Sequence, residues 1–168
     1  MNGIETDRLL RKIAKGDNLA FESLYLKTKR GVYAFLYSYL KNSHDTEDAM
    51  QTVYLKIKLN ISSYKIGTNG RAWILQIAKN HALTLLKQNK MHEEYVETRS
   101  NEYSFGGEIA DIIERVLSED EKKILILHVL WGYKHREIAH ELSCPTGTVT
   151  SKYKRAIEKL RKELEEVK

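Results

Sequence analysis

YKHREIAHELSCPTGTVTSKYKRAI (residues 133–157) is the stretch of sequence that decides the fold. Its first half has apolar residues at Ile138, Ala139 and Leu142, which predicts a short helix whose small Ala139 suits a close helix crossing. A tight turn then leads to the single proline, Pro145, which is tolerated at the start of a helix because the N–H it lacks has no partner there. The order helix, turn, helix predicts a helix-turn-helix.

The second helix of this motif has two contrasting faces. Its apolar residues fall within an arc of roughly 100° and predict the buried face: Val149, Tyr153, Ala156, Ile157, Leu160 and Leu164. The opposite face is polar and basic: Thr148, Ser151, Lys152, Arg155, Lys159 and Lys162. A DNA-recognition helix presents such a set to the major groove, with basic side chains on the phosphates, and Gly147 allows the backbone to approach closely. The alternative is a capped helix that faces solvent.

Positive charge is concentrated in particular segments of the chain, whose net charge is +5. Residues 1–90 carry 15 Lys and Arg against 7 Asp and Glu, whereas residues 108–168 carry 12 of each. Within residues 144–162, however, six bases accompany a single acid. Clustered positive charge is typical of a protein that binds a polyanion, although a solvated helix face has the same composition.

Composition also indicates in which cellular compartment the protein acts. The one cysteine, Cys144, excludes an intramolecular disulfide and fits a reducing compartment. Apolar runs such as residues 124–131 are far too short to span a bilayer, and the N-terminal residues lack the apolar core of a signal peptide. We therefore expect a cytoplasmic protein without membrane insertion.

An enzyme is not expected from this sequence. It contains no Gly-rich phosphate loop, no Cys–His metal spacing and no nucleophile–base set. Its six histidines are scattered, and His135 and His140 lie five residues apart, which is the wrong spacing for one helix face. We expect no catalytic residue, no cofactor and no metal site.

Helical spacing of apolar residues extends over nearly the whole chain and predicts an all-α protein. Residues 91–107 interrupt this pattern, since they are polar, carry four acids against one base and end in Gly-Gly. We interpret them as a flexible linker between two small helical domains, 1–90 and 108–168, of which the second contains the helix-turn-helix. Ser118, with Glu121 three residues later, predicts a capping box at a helix start, and Ser43 predicts another N-cap.

A helix over residues 45–59 has one apolar arc and one outward face. Ala49, Met50, Val53 and Ile57 form the arc, and roughly opposite lie Asp48, Gln51, Thr52, Leu55 and Leu59. Leucines flanked by Asp and Gln on an outward face indicate a surface for a partner protein. The alternative is packing against the protein's own N-terminal helices.

The next helix, residues 71–88, is apolar almost all round but carries a polar stripe interrupted by Leu83. The stripe consists of Gln76, Lys79, Asn80 and Lys87. By itself it is compatible with ordinary polar coverage or with nucleic-acid contact. Trp73 has the ring to stack on a base, but its place on the apolar arc favours the core.

Both halves of the chain resemble one family, the bacterial sigma factors of the extracytoplasmic-function group. Residues 117–161 resemble region 4, in which the motifs "EIA" and "PxGTVxSR" are followed by "RA". The matching positions are Glu137, Ile138, Ala139, Pro145, Gly147, Thr148, Val149, Ser151, Arg155 and Ala156. Residues 44–57 and 71–87 resemble region 2; the matching positions are Asp45, Glu47, Asp48, Gln51, Ala72, Trp73, Ile77, Ala78 and Asn80. The chain departs from the family pattern at Thr52, Lys87, Ser143 and Lys152, where glutamate, arginine, glycine and arginine are usual.

The resemblance implies a sigma factor that binds core RNA polymerase and directs promoter-specific initiation. It implies that Asp48, Gln51, Thr52 and Leu55 dock on the β′ clamp helices. It further implies that Gln76, Lys79, Asn80, Lys87 and the loop 64–70 hold the minus-10 element, and that Thr148, Ser151, Lys152 and Arg155 read the minus-35 duplex. Further partners expected from the family are the β flap and an anti-sigma factor. The alternative function is a stand-alone helix-turn-helix regulator, which would need a ligand or dimerisation domain in the N-terminal half.

Overall fold

A computed structural model describes residues 3–92 and 107–166. These residues form helices joined by short loops, and they contain no strand. The helices are α1 (Gly3–Ile13), α2 (Asn18–Leu40), α3 (Ser43–Leu59), α4 (Gly70–His92), α5 (Gly107–Val116), α6 (Glu119–Leu125), α7 (His135–Glu141) and α8 (Thr146–Glu166), with a 3₁₀ turn at Ile61–Ser63 and a π turn at Ile126–Leu130. The predicted all-α class is confirmed.

The chain divides into two compact helical units, Met1–Ser100 and Asn101–Lys168. The predicted linker, 91–107, lies almost wholly outside the described residues, so its exact boundaries stay a prediction. No helix within residues 3–92 and 107–166 is both long enough and apolar enough to cross a membrane.

The N-terminal unit is built around α2, which packs against α1, α3 and α4. Leu24, Val32 and Leu36 are buried along it, and the helix runs unbroken through Gly31. The predicted N-cap at Ser43 is wrong by one residue. Asn42 is extended and its side-chain Oδ1 accepts a hydrogen bond from the Asp45 N–H at 3.1 Å, so the capping position is already filled when the helix reaches Ser43.

The predicted apolar arc of α3 is confirmed. Ala49, Met50, Val53 and Ile57 are all buried, and α3 packs against both α2 and α4. The Tyr54 hydroxyl, also buried, lies 2.6 Å from that of Thr28 on α2, so this polar pair inside the unit is satisfied.

In the C-terminal unit, the predicted capping box is confirmed. Ser118 accepts a hydrogen bond from the Glu121 N–H, and the Glu121 carboxylate accepts one from the Ser118 N–H. The helix that follows ends in a π turn, in which the Trp131 N–H donates to the Ile126 carbonyl five residues back. The wider turn is accompanied by burial of Trp131 and Tyr133 at its exit.

α7, a short turn and α8 form the predicted helix-turn-helix. Ser143 in the turn has φ +50°, in the left-handed region that favours glycine. The Pro145 carbonyl accepts the first bonds of α8, from Thr148 and Val149, so Pro145 lies immediately before the helix. The Cys144 N–H closes the turn onto the Ala139 carbonyl at 3.0 Å.

The buried face of α8 is narrower than predicted. Val149 and Ala156 are fully buried, but Ile157 and Leu164, both expected in the core, are 40% and 43% exposed. The helices that cover α8 are α6, α7 and the ten-residue α5, and all three are much shorter than the 21-residue α8. A long helix covered by short neighbours buries only a strip of its apolar arc.

Candidate functional site

The outward face of α3 is exposed as predicted. Leu55 is 56% exposed and Leu59 70%, while Gln51 and Asp48 are exposed and Thr52 is half-buried. The alternative, in which these leucines pack against α1 and α2, is therefore wrong. We call Asp48, Gln51, Thr52 and Leu55 the α3 surface. Apolar groups beside a carboxylate and an amide are suited to a protein partner, which can bury the leucine and satisfy the polar groups.

The predicted stripe on α4 lies on the surface. Gln76, Asn80 and Lys87 are exposed, and Lys79 is half-buried. The Gln76 amide Nε2 donates to the Asn80 Oδ1 at 2.7 Å, so the two amides, one helical turn apart, orient each other. We call Gln76, Lys79, Asn80 and Lys87 the α4 stripe. Paired amides flanked by cations are the groups needed to hydrogen-bond an unstacked base beside its phosphates.

Trp73 is half-buried near the start of α4. Its ring packs against the buried Tyr64 ring, with centroids 5.1 Å apart and an angle of 48° between the planes. This packing favours the structural role for Trp73 over base stacking, because part of the indole is already covered.

Asp7 on α1 makes contacts that the sequence analysis missed. Its Oδ1 accepts hydrogen bonds from the Tyr64 hydroxyl at 2.6 Å and the Gly67 N–H at 2.9 Å, while its Oδ2 lies 3.2 Å from the Arg11 guanidinium. The hydrogen bond from Tyr64, with that from Gly67, lowers the pKa of Asp7. Burial, together with the bond to Asp7, raises the pKa of Tyr64 to about 12. The partners are 57 and 60 residues apart, so no local pattern signals the contact.

On α8, the predicted recognition face divides into outward and internally paired side chains. Ser151 and Arg155 are exposed and Thr148 is half-buried. The Ser151 hydroxyl donates to the Gly147 carbonyl one turn back. Lys152, in contrast, is ion-paired with Asp120 at the start of α6. We call Thr148, Ser151, Lys152 and Arg155 the α8 face.

A second lysine of this helix also contacts α6. Lys159 lies 2.8 Å from the buried Glu121 carboxylate. Burial by itself would raise the pKa of Glu121, but the hydrogen bonds from Lys159 and Ser118 outweigh it and lower that pKa. Lys159 therefore stabilises the capping box of α6, and its charge is partly compensated within the domain.

Two histidine rings, His128 in the π turn and His135 at the start of α7, pack against α8. The rings of His128 and His135 lie 4.9 Å apart, and both contact Tyr153 of α8, at 4.7 and 5.1 Å. The His135 Nδ1 lies 3.1 Å from the Thr150 hydroxyl. These contacts give His128 and His135 a role in packing, whereas His140 is exposed.

Known proteins resemble the chain in both units. Residues 24–91 match the family model of sigma-70 region 2, and residues 108–160 match that of sigma-70 region 4. The extracytoplasmic-function (ECF) RNA polymerase sigma-E factor of Haemophilus influenzae is 26% identical, covering 94% of each chain. The ECF sigma factor SigW of Bacillus subtilis is 24% identical, covering 94% of this chain and 96% of its own. The sigma factor RpoE of Bartonella quintana, solved in complex with the anti-sigma factor NepR, shares the fold with a TM-score of 0.62 at 21% identity, covering 86% of this chain and 96% of its own.

Proposed function

Because the chain belongs to the sigma-70 family, in its extracytoplasmic-function group, we propose a division of labour between its two helical units. The protein is a sigma factor that directs promoter-specific transcription initiation, and sigma factors act by binding core RNA polymerase. A stand-alone helix-turn-helix regulator is not favoured, since residues 24–91 match sigma region 2.

The α3 surface docks on the β′ clamp helices of core polymerase. The observation that carries this proposal is the exposure of Leu55 beside Asp48 and Gln51. The opposite face of the same helix is buried in the core. Burial of Leu55 by a partner would contribute about 1–1.5 kcal/mol, because only the exposed 56% of its surface remains to be buried. Thr52 has a neutral hydroxyl where the family usually has glutamate. It therefore contributes less than glutamate would to binding a cationic group of the partner.

The α4 stripe and the loop before it hold the unwound non-template strand of the minus-10 element. The paired amides of Gln76 and Asn80 offer hydrogen bonds to a base edge, and Lys79 and Lys87 contact the backbone phosphates. Lys87 makes point-charge contacts only, because a lysine lacks the bidentate geometry of the arginine that is usual there.

The α8 face reads the minus-35 duplex in the major groove. Arg155 is the principal cation, since it is exposed and, among the described residues, has no acidic partner within ion-pair distance. Thr148 and Ser151 lie near the N-terminal end of α8, the end that contacts base edges in helix-turn-helix proteins. Lys152 contributes only after it exchanges Asp120 for a phosphate.

The protein carries no chemistry of its own in this proposal, because nucleotide transfer belongs to the polymerase. Its place of action is the cytoplasm, with RNA polymerase. The β flap is a second contact for the C-terminal unit. We further propose that an anti-sigma factor covering both units regulates the protein. The complex of the Bartonella sigma factor with NepR supports this part of the proposal.

Two leucines of equal exposure provide a matched test of the docking surface. Leu55 on α3 and Leu26 on α2 are both 56% exposed, so replacing either by serine costs the folded protein similarly little. Leu55→Ser should weaken the affinity for purified core polymerase about five- to tenfold in a fluorescence titration. Leu26→Ser should leave it unchanged. Equal affinities of the two variants would show that the α3 surface is not the docking site.

A further inference from the structure

We propose that Asp7 is a positioning residue for minus-10 recognition, acting by fixing the shape of loop 64–69. The inference rests on the proposed function of that loop and the α4 stripe, and adds to it a helix, α1, that lies before the region matched by the family model.

The first support is the geometry of the contact. A single oxygen, Asp7 Oδ1, accepts from both the Tyr64 hydroxyl and the Gly67 N–H. Gly67 has φ +87°, in the left-handed region. The N–H that donates to Asp7 therefore belongs to the residue at which the loop reverses. One carboxylate therefore fixes both the beginning and the reversal point of the loop.

The second support is the close packing of α1 under the start of α4. At Gly70, an added Cβ would lie 2.8 Å from the Leu10 side chain, 3.1 Å from that of Thr6 and 3.3 Å from the Tyr64 hydroxyl. Thr6 and Leu10 are themselves fully buried. With α1 held against the first residue of α4, Asp7 is a fixed point from which the loop conformation is set.

The third support is the exposure of the other loop side chains, which the contact with Asp7 leaves at the surface. Lys65, Ile66 and Thr68 of the loop are exposed, and Ile66 retains 50% of its surface. The Asn69 side chain accepts from the Ala72 N–H at 3.2 Å, which joins the loop directly to α4 and its stripe. A change in the loop would therefore alter the position of its exposed side chains relative to α4, the helix that carries the stripe.

Asp7 acts through the loop and not by touching DNA. Its side chain is only 14% exposed, and a carboxylate would repel the phosphates of a bound strand. Tyr64 is likewise buried, and its ring is covered by Trp73. The positioned groups are thus the exposed loop side chains, and Asp7 and Tyr64 are their support.

The test uses the full chain assembled with core polymerase. Promoter fragments with a fixed minus-35 element and a randomised minus-10 element are selected as competitor-resistant open complexes and sequenced. The readout is the preference for the best minus-10 sequence over single-base changes. Core affinity and the unfolding midpoint are measured beside it, because a purely structural defect would change those and leave base preference intact.

Asp7→Ala should lower the minus-10 preference about fivefold, the effect of losing a hydrogen-bond acceptor that serves two donors. Asp7→Asn should restore most of it, since the amide oxygen replaces Oδ1 for both. Tyr64→Phe, which removes one of the two bonds, should have a smaller effect in the same direction. Arg11→Met, which removes only the Oδ2 contact, should leave the preference unchanged.

Ile66→Ala at the loop surface separates the two levels of the proposal. If Ile66→Ala changes the minus-10 preference and Asp7→Ala does not, the positioning role of Asp7 is wrong while the proposed function of the loop stands. If neither Ile66→Ala nor Asn80→Ala changes the preference, the proposed function of loop and stripe is wrong, and the role of Asp7 with it. Should Asp7→Asn be as defective as Asp7→Ala, the two hydrogen bonds are not the cause.

Discussion

The α3 surface and the α8 face differ in how their side chains are held before a partner arrives. On α3, Leu55 and Gln51 are exposed, and Asp48 is exposed with its carboxylate 3.7 Å from the His44 ring. On α8, Lys152 is only 28% exposed and paired with Asp120, and Lys159 is held by Glu121. Burial of Leu55 at the first surface requires no exchange of partners, whereas Lys152 at the second must exchange one anionic partner for another.

The difference matches the kind of partner proposed for each surface. A protein partner gains from burial of exposed apolar area, which needs no prior rearrangement. A DNA partner gains from cations that replace counterions, and a lysine already paired with a carboxylate has less to gain. The two units are therefore expected to respond separately to substitution, and the following predictions rank those responses.

The largest effect is expected on α3. Asp48→Ala combined with Gln51→Ala should weaken the affinity for core polymerase by about 2–4 kcal/mol, since interface polar groups lose their partners. At core concentrations that saturate the variant, promoter occupancy should equal that of the wild type. A promoter defect that persists at saturation would mean that these residues do not act in docking alone.

Arg155→Ala should give the opposite pattern. The affinity of the holoenzyme for promoter duplex should fall by about 1–3 kcal/mol, and the salt slope should decrease by about one. Core affinity should not change. Lys154→Ala is the control, because this exposed lysine lies 100° around α8 from Arg155 and off the α8 face. Equal effects of the two variants would show that charge, and not the α8 face, determines binding.

Ser143→Gly should stabilise the C-terminal unit without changing what it binds. The left-handed φ of +50° costs a serine about 1 kcal/mol relative to glycine, partly offset by the greater unfolded-state entropy of glycine. Thermal unfolding should show a gain of up to about 1 kcal/mol. A loss of stability would mean that the serine side chain makes a contribution larger than the strain.

The smallest effect is expected from releasing Lys152. Asp120→Asn should raise promoter affinity by about 0.5 kcal/mol, the scale of an exposed ion pair, and steepen the salt dependence. In a Lys152→Met background the same substitution should bring no comparable gain. If the gain in promoter affinity persists in the Lys152→Met background, it comes from the general loss of a negative charge and not from the release of Lys152.

Local patterns were sufficient to predict the helices and most outward faces. The arc of Ala49, Met50, Val53 and Ile57 was recognised because helix periodicity alone determines which residues share a side. The same reasoning placed Leu55 outward and put Arg155 on the polar face of α8.

Contacts between distant segments could not be predicted in this way. The Asp7–Tyr64 and Lys152–Asp120 pairs join residues 57 and 32 positions apart, and nothing in either local sequence indicates its partner. Ile157 and Leu164 were placed in the core because periodicity gives the direction of a side chain but not the length of the neighbour that covers it. The left-handed Ser143 was visible only as a departure from the family pattern, and its backbone angle supplied the reason.

Run-off transcription with purified core polymerase and genomic promoter fragments tests the central claim most directly. The full chain should direct initiation from a specific subset of fragments, the Asp48→Ala/Gln51→Ala variant should recover that activity at high core concentration, and Arg155→Ala should not. A chain that directs no initiation and does not co-purify with core would contradict the account. Identical defects in both variants at every core concentration would contradict the division of labour between the two units.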